Sequence, residues 1–134
     1  MTANGRLFGR RVLVVEDDYF IADEICRALR DHGAQIVGPA PSLLAGLVLA
    51  RDGSCDCAVL DINLKGEPVY ELARELLRQG TPAIFATGYD ESALPFELRS
   101  NARLQKPLNL ASLVDAIQVA AAYRNPDRSS PRPH

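Results

Sequence analysis

Four apolar runs in this chain each end in a residue able to act on phosphate or a divalent cation. Glu16, Asp17 and Asp18 follow the first run, Asp61 the second, Thr87 the third and Lys106 the fourth. Carboxylates gathered in one place raise each other's pKa unless a cation sits among them. Mg²⁺ is the natural candidate: it is hard and satisfied by one or two carboxylates, a backbone carbonyl, waters and a phosphate oxygen. On that reading Asp17 and Asp61 ligate directly, the carbonyl of Asn63 supplies a third ligand, and Glu16 holds a metal-bound water. An aspartate carboxylate can attack phosphorus to give an acyl phosphate, and Asp61 is the expected nucleophile. Lys106 and the Thr87 hydroxyl would take the remaining phosphoryl oxygens, since such transfer needs positioning and charge neutralisation above all. Gly88 leaves room for a phosphodonor to approach in line. Singly, each residue is weak evidence: acids at a strand end are often solvated, and Asp18 reads as a helix N-cap. Their joint placement carries the signal.

That placement requires strands whose carboxyl ends share one rim. Strands are expected at Arg11–Val15, Gln35–Val37, Cys57–Leu60, Ala83–Ala86 and Ala102–Gln105, each a short apolar or β-branched run. Helices are expected between them. The first, from about Tyr19 to His32, buries Ile21, Ile25, Ala28 and Leu29 and stops at Gly33. Ser42 caps a second, with Leu43, Leu44, Leu47 and Val48 on its buried side. Pro68 suits the first turn of a third, whose apolar face is Val69, Leu72, Ala73, Leu76 and Leu77. Pro95 makes any helix within 90–100 short, kinked or split. Asn109 caps the last, with Leu110, Leu113, Val114, Ile117 and Ala120 inward. Alternating strands and helices predict an α/β fold: a flavodoxin-like, doubly wound, five-stranded parallel sheet of order 2-1-3-4-5 with five flanking helices. Such sheets bind ligands beyond the carboxyl ends of their strands, at the switch in strand order. Residues 1–9 read as an N-terminal extension, 10–123 as one domain, and the polar, proline-rich 124–134 as a disordered tail.

Composition narrows the function. At 134 residues the chain fits one domain. A net charge of −2 and a pI near 5.6 leave no basic footprint for nucleic acid or an anionic membrane, so neither is expected as a partner. The start has no signal-peptide pattern and no 18-residue apolar stretch occurs, so a cytoplasmic location is expected. Three cysteines, an odd number, suit a reducing compartment. Cys55 and Cys57 would share a face if both lay on one strand, but nothing spaced to complete a zinc site accompanies them.

The stretches VLVVEDD, AVLDINL, FATGY and LQKPL resemble the four signatures of bacterial two-component response-regulator receiver domains, in the family's order and over residues 11 to about 123. The resemblance implies an acidic pair at Glu16 and Asp17, a phosphoacceptor at Asp61, a switch hydroxyl at Thr87, a phosphate-contacting Lys106, and a cis bond from Lys106 to Pro107. It implies a phosphoprotein, not an enzyme. Its partners would be a sensor histidine kinase or a histidine phosphotransfer protein, and a downstream protein target. With no room for an output domain, the expected roles are phosphorelay intermediate, phosphate sink or phosphorylation-switched docking module. Self-association through the last two β/α units stays open. FATGY, with DINLKGE and LQKP, is similar to the FAT-GUY group of stand-alone receivers.

Two positions depart from the family. Arg103 stands where most receivers carry the aromatic switch residue, leaving either Tyr89 or Phe85 to take that role, or the Thr87 loop and the 90–100 segment to signal. Lys65, four residues after Asp61 where many receivers have proline, reads first as a solvated loop lysine. By the same resemblance, Asn63 and Tyr89 would tune phosphoryl lifetime. Rival readings fare less well. A haloacid-dehalogenase-type hydrolase would want Asp where Asn63 stands. A pseudo-receiver, a pure binding module, would be expected to lack Asp17, Asp61 or Lys106. A dinucleotide-binding domain would need a glycine-rich turn after strand one.

Overall fold

The computed structural model describes residues 5–88, 94–99 and 101–122. Its main sheet is built from β1 (Arg11–Val15), β2 (Gln35–Ala40), β3 (Cys57–Asp61), β6 (Ala83–Thr87) and β7 (Ala102–Gln105). All pairs are parallel and the order is β2-β1-β3-β6-β7, the doubly wound order expected. A two-stranded antiparallel hairpin, β4 (Asn63–Leu64) and β5 (Glu67–Pro68), follows β3 directly.

Side-chain alternation on the three central strands divides the core in two. Leu13, Val15, Ala58, Leu60 and Phe85 face one side, where α2 (Leu43–Ala50) and α3 (Tyr70–Arg78) pack. Val12, Val14, Cys57, Val59 and Ile84 face the other, under α1 (Tyr19–Asp31) and α4 (Leu110–Ala122). Burial on both faces explains why these strands read as continuous apolar runs. The caps fall as expected. The Asp18 carboxylate accepts from the N–H groups of Phe20 and Ile21, Ser42 Oγ from Ala45, and Asn109 Oδ1 from Ser112. Gly33 ends α1 with φ 92°, a conformation only glycine adopts without strain.

Several expectations need correction. Five flanking helices were expected; the described residues form four, and between β6 and β7 they show only a 3₁₀ turn, Phe96–Leu98, entered through Pro95. Pro68 is not in the first turn of α3. It pairs with Asn63 in the hairpin, and Val69 is the N-cap. β2 runs on past Val37, through a cis Gly38–Pro39 bond, to Ala40, whose carbonyl accepts from Glu16 N–H at 3.0 Å. The apolar face of α2 is rotated: Gly46 and Ala50 point inward while Leu44 and Val48 are exposed. Leu77 of α3 is likewise exposed. Gly46 explains the rotation of α2, because a Cβ there would come within 2.7 Å of Leu72 Cδ2 and 3.2 Å of Val15 Cγ2. Leu7, in the segment read as an extension, is fully buried in the α1/α4 core, and its N–H donates to His32 O at 2.8 Å.

All three cysteines are buried, and none is in a disulfide. Cys55 precedes the strand and joins one core while Cys57 joins the other, so the pair does not share a face. Burial pushes the Cys57 thiol up to about 12, which makes it an inert packing group.

Candidate functional site

β1 and β3 are neighbours at the point where the strand order reverses, so Glu16 and Asp17, beyond β1, meet Asp61, the last residue of β3. One oxygen from each of these three carboxylates lies within 4.8 Å of the others. Glu16 and Asp61 are 3% and 4% exposed, and Asp17 is half-buried. Asp18 turns away to cap α1, as its position suggested.

Lys106 follows β7 and reaches back across the rim. Its Nζ is 3.0 Å from Glu16 Oε1 and 3.3 Å from Asp61 Oδ2. The sequence suggested Lys106 for a phosphoryl oxygen; its contact with Glu16 had no sequence signal. The bond from Lys106 to Pro107 is cis, as the resemblance implied, and Lys106 N–H donates to Thr87 O at 2.8 Å. Thr87 ends β6, one residue past the Asp61–Ala86 pairing, and is almost fully buried. Asn63 N–H donates to Asp61 Oδ1 at 3.3 Å, so the first residue of the hairpin is tied to the acceptor carboxylate. The residues read from sequence as metal- or phosphate-binding, Glu16, Asp17, Asp61, Asn63, Thr87 and Lys106, therefore lie together at the carboxyl-end rim. Glu16, Asp17, Asp61 and Lys106 form the tight cluster, with Thr87 and Asn63 beside it.

Electrostatic frustration marks this rim. Burial, less opposed by the Asp18 N–H bond to Oε2 and aided by the Asp61 charge, raises Glu16 from 4.5 to about 7. Burial also raises Asp61, against the pull of Lys106. Desolvation disfavours the Lys106 ammonium, but the two carboxylates outweigh it and its pKa is raised. One ammonium does not neutralise three carboxylates, and a donor set made only of carboxylate oxygens suits a hard divalent cation.

A cleft of about 250 Å³ adjoins the site, lined by Ile21, Glu24 and Ile25 of α1 and by Lys106, Pro107, Leu108 and Leu110. Tyr19 and Phe20 stand exposed at the start of α1, edge to face at 5.5 Å. A larger cleft, about 560 Å³, lies between α4 and the amino-terminal ends of β6 and β7, away from the acidic cluster.

Arg103 is exposed on the edge strand β7, and Phe85, one of the two aromatics considered in its place, is fully buried in the core. Tyr89, with residues 90–93 and 100, lies outside the described residues.

A twisted parallel sheet of order 2-1-3-4-5 with an acidic cluster at its switch point is the architecture of the CheY-like fold. A CheY-like receiver structure from Methanospirillum hungatei superposes with a TM-score of 0.73 at 22% identity, covering 84% of this chain and 94% of that one. Residues 12–118 match the family described as response regulator receiver domain, and the chain belongs to that family of two-component signalling modules. The solution structure of SdrG from Sphingomonas melonis Fr1 is similar over 84% of this chain and 96% of that one, with TM-score 0.73 and 30% identity. Among curated proteins, the transcriptional regulatory protein PdtaR of Mycobacterium tuberculosis is 27% identical over 84% of this chain and 57% of its own. The sensory transduction protein LytT of Bacillus subtilis is 31% identical over 74% and 43%. The chain thus spans about half the length of these curated relatives. Among the described residues no helix is long and apolar enough to cross a membrane.

Proposed function

We propose that Asp61 accepts a phosphoryl group from a histidine kinase or histidine phosphotransfer protein. The observation that carries this reading is the cluster of Glu16, Asp17 and Asp61 within 4.8 Å, with Lys106 Nζ against two of the three. An Asp61 oxygen bonds to phosphorus as the P–N bond of the donor phosphohistidine breaks, and that electron pair leaves with the imidazole. Lys106 is placed to balance charge on a phosphoryl oxygen, and the Thr87 hydroxyl to bind another. Asp17, Asp61 and the Asn63 carbonyl would hold Mg²⁺, with Glu16 on a bound water; the ion would supply charge neutralisation at the phosphoryl oxygens.

The phosphoryl group adds about −1.5 to −2 charges to a rim already crowded with acids, which favours a change in the surrounding loops. With Arg103 outward and Phe85 locked in the core, we assign that change to the Thr87 loop and the 90–100 segment. Exposed Tyr19 and Phe20 and the cleft beside Lys106 offer a docking face to the donor. FATGY and DINLKGE support placement near the FAT-GUY group. We further propose a cytoplasmic role as relay intermediate, phosphate sink or phosphorylation-switched docking module.

Intact mass after incubation with acetyl phosphate tests the reading. The wild type should gain one phosphoryl group only with Mg²⁺, and Asp61→Asn should gain none. A wild type that binds Mg²⁺ yet gains no mass would leave a receiver fold serving as a binding module without phosphotransfer.

A further inference from the structure

Lys65 has no role in the chemistry above, yet three observations set it apart. Only two of the chain's fifteen cationic residues are lysines, Lys106 directly after β7 and Lys65 in the turn of the hairpin that follows β3 and Asp61. Lys65 is also the one non-glycine residue with positive φ among those described, at 51°, followed by Gly66 at 85°. Two successive positive φ values make a type I′ hairpin turn, a place that favours Asn or Gly and strains a lysine backbone. Such strain persists where the surroundings hold it, and often marks a functional position.

Those surroundings are rigid. Asn63 and Leu64 pair with Pro68 and Glu67, Leu64 is buried in the core, Val69 N–H donates to Ile62 O at 2.9 Å, and Asn63 N–H is bonded to Asp61 itself. The hairpin therefore fixes the Lys65 backbone relative to the acceptor. Four residues of chain span at most about 14 Å, and a folded hairpin spans less. Even with its four-carbon stem turned outward, the exposed ammonium then lies within one screening length of Asp61 at low salt, which is roughly 30 Å at 0.01 M. Among the described residues no carboxylate pairs with it, although Glu67 across the turn offsets part of its field.

We propose that Lys65 is a charge-steering residue of the phosphoryl-transfer site, drawing anionic phosphodonors to a rim that three carboxylates would otherwise make repulsive. The proposal rests on Asp61 being the phosphoacceptor. A unit charge roughly 10 Å from a dianion in water changes the encounter rate by about two- to fourfold at low salt, and by little at high salt.

The test is the second-order rate of Mg²⁺-dependent phosphorylation, read by intact mass, for wild type, Lys65→Arg and Lys65→Asn. Asparagine accepts the positive φ, so Lys65→Asn keeps the hairpin and removes only the charge. The rate with acetyl phosphate should fall two- to fourfold in Lys65→Asn at low salt and converge with wild type at 1 M salt. Lys65→Arg should restore it, and the loss should be smaller with phosphoramidate, which carries less negative charge. An unchanged low-salt rate in Lys65→Asn, or a loss that persists at high salt and is equal for both donors, overturns steering. If the wild type itself takes no phosphoryl group, the assignment of Asp61 has failed instead.

Discussion

Removing the charge of Glu16 should stabilise the metal-free protein at neutral pH, and the size of the effect follows from its burial. Glu16 is 3% exposed, and desolvation holds its pKa at about 7, against 4.5 for the same group unburied. Because the folded-state pKa is raised, Glu16's contribution to stability is fully present below about pH 4.5. It is lost as pH climbs to about 7 and stays level above that. At roughly 1.4 kcal/mol per pKa unit the whole loss is about 3 kcal/mol, a large share of the 5–15 kcal/mol typical of a domain. Asp61 is also raised, first by burial, and adds a loss of the same sign. Asp52, Glu75 and Glu97 are lowered by hydrogen-bond partners, so their opposite contributions titrate below this window.

Urea denaturation in EDTA from about pH 5 to about pH 7.5 reads the difference directly. Wild type should lose about 2 kcal/mol across that range, and Glu16→Gln, which keeps an acceptor for Asp18 N–H, should lose less than half as much. Saturating Mg²⁺ should flatten the wild-type profile by giving the carboxylates a cation. A wild-type stability that is flat or rises over this range, or an equal slope in Glu16→Gln, would refute the argument from desolvation.

Leu7→Ala should cost about 2–4 kcal/mol in the same assay, because a fully buried leucine leaves a cavity between α1 and α4; a cost under about 0.5 kcal/mol would show that residues before β1 are dispensable. Beryllofluoride with Mg²⁺, as a phosphoryl mimic, should alter amide exchange in the Thr87 loop and in 94–99. Exchange changed elsewhere but not there would remove the assignment of the switch to that segment.

Much of the molecule was legible one residue at a time. Apolar runs ending in acid, hydroxyl or ammonium gave the strands and the rim, because a strand buried on both faces must be apolar until it meets solvent at its end. Asp18, Ser42 and Asn109 were readable as caps because a cap bonds within three residues of itself. The rest depended on partners distant in sequence. α2 has no polar side chain, so periodicity could not say which face turns inward; Leu72 and Val15 decided it by fitting against Gly46. Leu7 looks like part of a polar leader until α1 and α4 close over it. Pro68 satisfies a helix start locally, yet the turn at Lys65 and Gly66 folds it back against Asn63. The composition of the rim was set by the sequence. Its frustration, with Glu16 buried beside Asp61 and a single ammonium between them, arises only when the β1–β3 pairing brings the carboxylates within 4.8 Å and the return of β7 sets the Lys106 ammonium 3.0 and 3.3 Å from them.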